Sequence, residues 1–68
     1  MIGQRLLRLR SSKGWSIRDL QREADISPAM ISRVERGLSM PSYDVLGRWL
    51  KAFGLGFSWL DGCQHEYA

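Results

Sequence analysis

Two helix-start signals stand eleven residues apart in the run Ser16-Ile-Arg-Asp-Leu-Gln-Arg-Glu-Ala-Asp-Ile-Ser-Pro-Ala-Met-Ile-Ser-Arg-Val-Glu-Arg-Gly37. No other feature restricts this chain as strongly. Ser16 offers a hydroxyl that can accept from the N–H groups of the following turn, with Asp19 as a short capping-box acid and Trp15 and Leu20 at hydrophobic-staple spacing. Ser27 repeats the signal. Pro28 after it has no N–H to leave unpaired at the first helical position, and Ile26 and Ile31 form the second staple. Leu20, Ala24, Ile31 and Val34 keep a helical period and would close the two helices on each other, and Gly37 is a natural left-handed stop. The segment 16–37 therefore reads as two short helices joined by a tight turn, a helix-turn-helix.

A chain of 68 residues makes one domain with a single small core, near the lower limit for folding without a staple. The one cysteine, Cys63, excludes an internal disulfide, and with His65 the only histidine there is no ligand set for structural zinc. No metal, cofactor or small-molecule ligand is expected, and the core must be purely hydrophobic. Asp61, Cys63 and His65 lie close in sequence but on a glycine-flanked tail with no scaffold to fix their geometry, so no catalytic residue is assigned. A membrane partner is not expected either, because no long apolar run occurs and the amino end lacks the apolar stretch of a secretion signal. A cytoplasmic setting is the expectation.

Charge is distributed unevenly. Residues 1–36 carry eight of the ten Lys and Arg against four acids, while residues 37–68 carry two against three. A net charge of +3 is by itself ordinary, but Arg5, Arg8, Arg10, Lys13, Arg18, Arg22, Arg33 and Arg36 flank the two-helix segment. That conjunction points to an acidic partner, and nucleic acid fits it.

Ile2, Leu6 and Leu9, with Leu7 beside them, predict an amphipathic first helix over roughly residues 2–12, ended at Gly14. After the loop Leu38-Ser-Met-Pro41, Ser42 caps a fourth helix whose buried stripe is Val45, Leu46, Trp49, Leu50 and Phe53, ended by Gly54 and weakened somewhat by Gly47. Phe57, Trp59 and Leu60 sit on a last short helical turn. The fold class is all-α, with a domain over residues 2–60 and a short tail over 61–68.

The run Ile26-Ser27-Pro28-Ala29-Met30-Ile31-Ser32-Arg33-Val34-Glu35-Arg36-Gly37, with Pro41-Ser42-Tyr43 and Lys51-Ala52-Phe53-Gly54 downstream, resembles the Cro and phage-repressor type of helix-turn-helix domain, also called the XRE family. The resemblance covers about residues 2–60 and implies five helices with the motif in the second and third. Two positions depart from the family pattern. Gln21 stands where a small Ala is usual, and its side chain is expected to bend out to solvent; Asp25 stands where Gly is usual, and Asp tolerates the left-handed conformation better than most residues.

The resemblance implies a sequence-specific regulator, a repressor or Cro-like switch, whose second motif helix, residues 27–36, enters the major groove of a double-stranded DNA operator. Base contacts then fall to Pro28, Ala29, Met30, Ser32, Arg33 and Arg36, because Ile31 and Val34 face inward. Arg33 is the best direct reader, since its planar fork can donate twice to guanine O6 and N7; Pro28 and Ala29 can only pack on a thymine methyl. Phosphate contacts are expected from Ser16, Ile17, Arg18 and Ser27, at helix amino ends where N–H groups and the macrodipole favour an anion, although both serines are caps first, and from Arg10, presented toward the backbone from the first helix. The resemblance also implies an ion pair between Arg10 and Glu35, which would cancel an acid on the DNA-facing unit. A homodimer is expected through Met40, Tyr43, Phe57, Trp59 and Leu60, since Trp15 and Trp49 belong to the core while these side chains are harder to bury in one subunit. The rival reading is a protein-interaction module, such as an antitoxin that binds a toxin and its own operator, or a helix-turn-helix without DNA binding.

Overall fold

The structure, a computed structural model, describes residues 2–60. Helix α1 spans Ile2–Ser12, α2 Ile17–Ala24, α3 Pro28–Glu35 and α4 Tyr43–Ala52, and residues 58–60, α5, are helical again. The architecture is all-helical, as the spacing predicts. The tail 61–68, with Asp61, Cys63 and His65, lies outside the described residues. No described helix is long and apolar enough to cross a membrane.

Each helix boundary has a local cause. The Ser16 hydroxyl accepts from the Asp19 N–H at 3.1 Å while the Ser16 N–H donates to the Asp19 carboxylate at 2.9 Å, a reciprocal capping box. Ser27 and Ser42 cap α3 and α4 by accepting from the N–H groups of Met30 and Val45, both at 3.2 Å. At the end of α3 the Gly37 N–H donates to the Val34 carbonyl and the Leu38 N–H returns to the Arg33 carbonyl at 2.8 Å, with Gly37 at φ +78°. That is a Schellman closure, which an L side chain at Gly37 would strain. The same pair of returning bonds ends α1 at Gly14 and α4 at Gly54.

Leu6, Leu20, Ile31, Val34, Trp49 and Leu50 are fully buried, with Ala24, Ile26 and Leu46 completing the core. Burying a side chain of this size stabilises by roughly 1.5–3 kcal/mol, so these few residues carry the fold of so small a domain. Helix α2 packs on both α3 and α4, and α1 lies against α3. Trp15 closes one end of this arrangement, its ring 4.8 Å from that of Phe53. It is only half-buried.

Two features of the packing change the sequence reading. Phe57, Trp59 and Leu60, expected to be harder to bury within one subunit, are half-buried against the subunit's own core. Phe57 precedes the helical residues of α5, and its ring lies over Gly47, where a Cβ would come 3.3 Å from the ring edge; Tyr43 stacks on the same ring at 4.3 Å. Gly47 thus provides a notch that the helix-propensity argument counts only as a weakness. Arg5 sits 4.9 Å over the Trp59 ring and donates to the Leu60 carbonyl, which ties α1 to α5.

Gly3 is the second feature. It is buried, and a Cβ there would overlap the Val34 carbonyl oxygen and press on that of Glu35, so the missing side chain lets α1 lie directly on the end of α3. Helix propensity alone would make Gly3→Ala stabilising by about 1 kcal/mol. The overlap reverses the sign: Gly3→Ala is expected to destabilise by roughly 1–3 kcal/mol, read as a lower denaturation midpoint with unchanged slope. A midpoint that rises would show that the helices can separate without loss.

Candidate nucleic-acid interface

Helix α3 is divided along its length. Ile31 and Val34 are buried at 0% and 1% exposure, whereas Pro28, Ala29, Arg33 and Arg36 are exposed on the other side. Ser32 is half-buried, and Met30 packs against the core. Of the six residues expected to meet bases, four therefore form an open strip, with Ser32 and Met30 along its margins. Arg33 makes no ion pair among the described residues, and its Nε donates to the Ser39 hydroxyl at 3.0 Å. Arg36 reaches back toward the Ser32 hydroxyl at 3.5 Å, at the outer limit for a hydrogen bond.

The two helix amino ends differ as anion sites. At α3 the first turn carries no acid, and the Ser27 hydroxyl, which accepts from Met30, keeps its own O–H free to donate. At α2 the capping box takes the Ser16 N–H and sets the Asp19 carboxylate in the first turn. The bond from the Ser16 N–H, joined by the Ser16 hydroxyl, holds that carboxyl below the usual range, so it is charged at neutral pH. Arg22 answers it at 2.7 Å. What remains for an anion at α2 is the exposed Arg18, the N–H groups of half-buried Ile17 and of Arg18, and the Ser16 O–H.

Arg10 and Glu35 meet. The Arg10 Nε donates to Glu35 Oε2 at 2.7 Å and Nη2 donates to Oε1 at 2.9 Å, a two-pronged pair. The remaining Arg10 nitrogen, Nη1, donates to the Trp15 carbonyl at 2.8 Å. The side chains are only 14% and 5% exposed. The hydrogen bonds to Glu35 raise the guanidinium's pKa further, against the opposing effect of burial, so Arg10 stays charged. Three bonds use three of the five Arg10 N–H groups and leave two without a partner among the described residues.

A family model described as "Helix-turn-helix" matches residues 5–60. This chain belongs to the XRE-type helix-turn-helix family. It is similar to a solved structure titled "SinR protein/SinI protein complex", at a TM-score of 0.83 and 30% sequence identity, over 100% of this chain and 67% of that one. Compared by sequence with curated proteins, the chain has no significant match. Family and structural neighbour together make this a DNA-binding transcription regulator.

The helix-turn-helix domain accommodates both departures from its family pattern. Gln21 is exposed, and Leu20 and Ala24 of the same helix remain buried. Asp25 takes the left-handed conformation at φ 57°, ψ 50°, and its N–H donates to the Gln21 carbonyl. Arg48, which the sequence reading leaves unassigned, braces this turn: its Nη1 donates to the Asp25 carbonyl at 2.6 Å and its Nη2 to Asp44 at 3.0 Å. An Arg four residues after Asp44 on a helix was a legible pair, but its reach across to the turn was not.

The buried pair yields a test of the helix-turn-helix frame. Arg10→Met strands the Glu35 carboxylate and is expected to lower stability by roughly 3 kcal/mol or more, a fall of more than 10 °C in melting temperature at about 4–8 °C per kcal/mol. Replacing both partners, Arg10→Met with Glu35→Leu, should recover much of that loss, because no lone charge is left buried. Thermal melts of the three proteins decide it. A double variant no more stable than Arg10→Met would mean that the carboxylate is not what the arginine is needed for.

Proposed function

We propose that this domain is a cytoplasmic, sequence-specific transcriptional regulator, a repressor or Cro-like switch, that binds a palindromic operator as a homodimer with α3 in the major groove. The observation that carries the reading is the open strip of Pro28, Ala29, Arg33 and Arg36 on a helix whose opposite side is sealed in the core. A helix about 10–12 Å across fits the major groove. Arg33 then pairs with a guanine, Pro28 and Ala29 lie against thymine methyls, and Ser32, Arg36 and the edge of Met30 border the contact. Ser27, the N–H groups after Ser16, Ile17 and Arg18, and the two spare donors of Arg10 hold the phosphates and set the register.

For the dimer, Met40 and Tyr43 are the most exposed large apolar side chains among the described residues, at 77% and 78%, and they lie before and at the start of α4. Phe57 backs Tyr43 by stacking, and Trp59 and Leu60 stiffen the neighbouring segment. One short helix reads only a few base pairs, and a symmetric pair reads two half-sites about 34 Å apart. A role centred on a protein partner, as for an antitoxin and its toxin, is the second reading; the similar solved structure is titled as a complex of two proteins.

Selection of bound duplexes from a randomised pool, with wild type and Arg33→Ala at one stated salt concentration, tests the operator reading. The expected result is an enriched palindrome in which Arg33→Ala costs roughly 1–3 kcal/mol and relaxes one guanine. Weak, salt-sensitive binding with no enrichment would sink it in favour of a protein partner. Light scattering tests the dimer separately. Two chains per duplex are expected for the wild type, with Tyr43→Glu melting normally but occupying half-sites singly; one wild-type chain per operator would refute the pairing.

A further inference from the structure

Arg33 is exposed, and a long, exposed side chain ordinarily samples many rotamers and must give up that freedom on binding. Here it is already restrained by the loop that follows its own helix. The Schellman closure at Gly37 draws the Leu38 N–H back to the Arg33 carbonyl at 2.8 Å, so the next residue, Ser39, is returned to the side of α3 from which Arg33 projects. Leu38 is 55% exposed, so the loop is held by these backbone bonds and not by burial of that side chain. The Ser39 hydroxyl then accepts from Arg33 Nε at 3.0 Å.

We infer that Ser39 is a positioning residue for base readout, which fixes the Arg33 guanidinium so that its two terminal nitrogens are presented end-on to a guanine. The inference rests on the operator reading above and deepens it. A guanidinium can meet guanine O6 and N7 either with Nη1 and Nη2 or with Nε and one Nη. Ser39 occupies Nε and leaves the first geometry open while closing the second. No carboxylate among the described residues pairs with Arg33, so its charge stays available to the two acceptors. The bond is a neutral acceptor on an exposed donor, modest in water, and it strengthens when DNA excludes solvent from the contact.

The test measures wild type, Ser39→Ala, Ser39→Thr, Arg33→Ala and the double variant Arg33→Ala/Ser39→Ala on operator duplexes carrying each of the four bases at the Arg33-dependent position. Ser39→Ala is expected to lose roughly three- to tenfold of the guanine preference, the ordinary worth of one hydrogen bond, with melting temperature and salt slope unchanged. Ser39→Thr, which keeps the hydroxyl, should retain the preference, and the double variant should discriminate no worse than Arg33→Ala alone. If Arg33→Ala relaxes the guanine and Ser39→Ala does not, the inference is overturned and the operator reading stands. If Ser39→Ala weakens all four duplexes alike, Ser39 is a phosphate contact and the inference is likewise overturned. A wild type without preference at any position overturns both.

Discussion

The arrangement depends on neutralising one carboxylate. Glu35 lies at the carboxyl end of α3, where the helix macrodipole is already negative, and it is 8% exposed, so neither solvent nor its own helix stabilises the charge. Arg10 supplies what is missing from the last turn of α1, a position where a cation also suits the dipole of its own helix. Because the same guanidinium binds the Trp15 carbonyl just before α2, one side chain joins the end of α1, the end of α3 and the entry to α2. The orientation of α3 is in this way referred to α1, with Gly3 permitting the close contact and Arg10 fixing its other end.

The connections between helices are fixed mostly by backbone hydrogen bonds. Three of the four described helices end in the same returning pair, and the fourth, α2, ends at Asp25, whose strained conformation is braced from α4 by Arg48. Such closures need little hydrophobic surface, which a chain of 68 residues cannot spare from its core. The aromatic side chains outside the core follow a similar logic: Phe57 fills the notch at Gly47, and Trp59 lies under Arg5, so residues 57–60 are seated by a few ring contacts.

Much of this was legible from residue type and spacing. Ser16 with Asp19, Ser27 with Pro28, and Gly37 are local signals whose physics acts within a turn of helix, and the helices begin and end where those residues put them. Gln21 and Asp25 were readable for the same reason, since an exposed face and a tolerant αL residue are local properties. What escaped depends on distance along the chain. Gly3 against Val34, Gly47 beneath Phe57, Arg48 across to Asp25 and Ser39 beside Arg33 are contacts whose partners are set by packing or by loop closure, and no periodicity announces them. The same holds for Phe57 and Trp59, whose apolar character is plain in the sequence while the partial cover that the subunit's own core gives them is not.

The lengthwise division of α3 bears on how such a protein could acquire a new target. Residues that hold the helix in place, Ile31, Val34 and Glu35, are separate from Pro28, Ala29, Arg33 and Arg36, which face outward and contribute little to the core. Exposed substitutions away from caps and networks usually change stability by no more than about 0.5 kcal/mol. The outward strip can therefore be rewritten one residue at a time in a domain with little stability to lose, and the scaffold imposes almost no order on those changes. The exceptions are position 28, where Pro also helps to start the helix, and position 33, where a new side chain would inherit a neighbouring hydroxyl already committed to arginine.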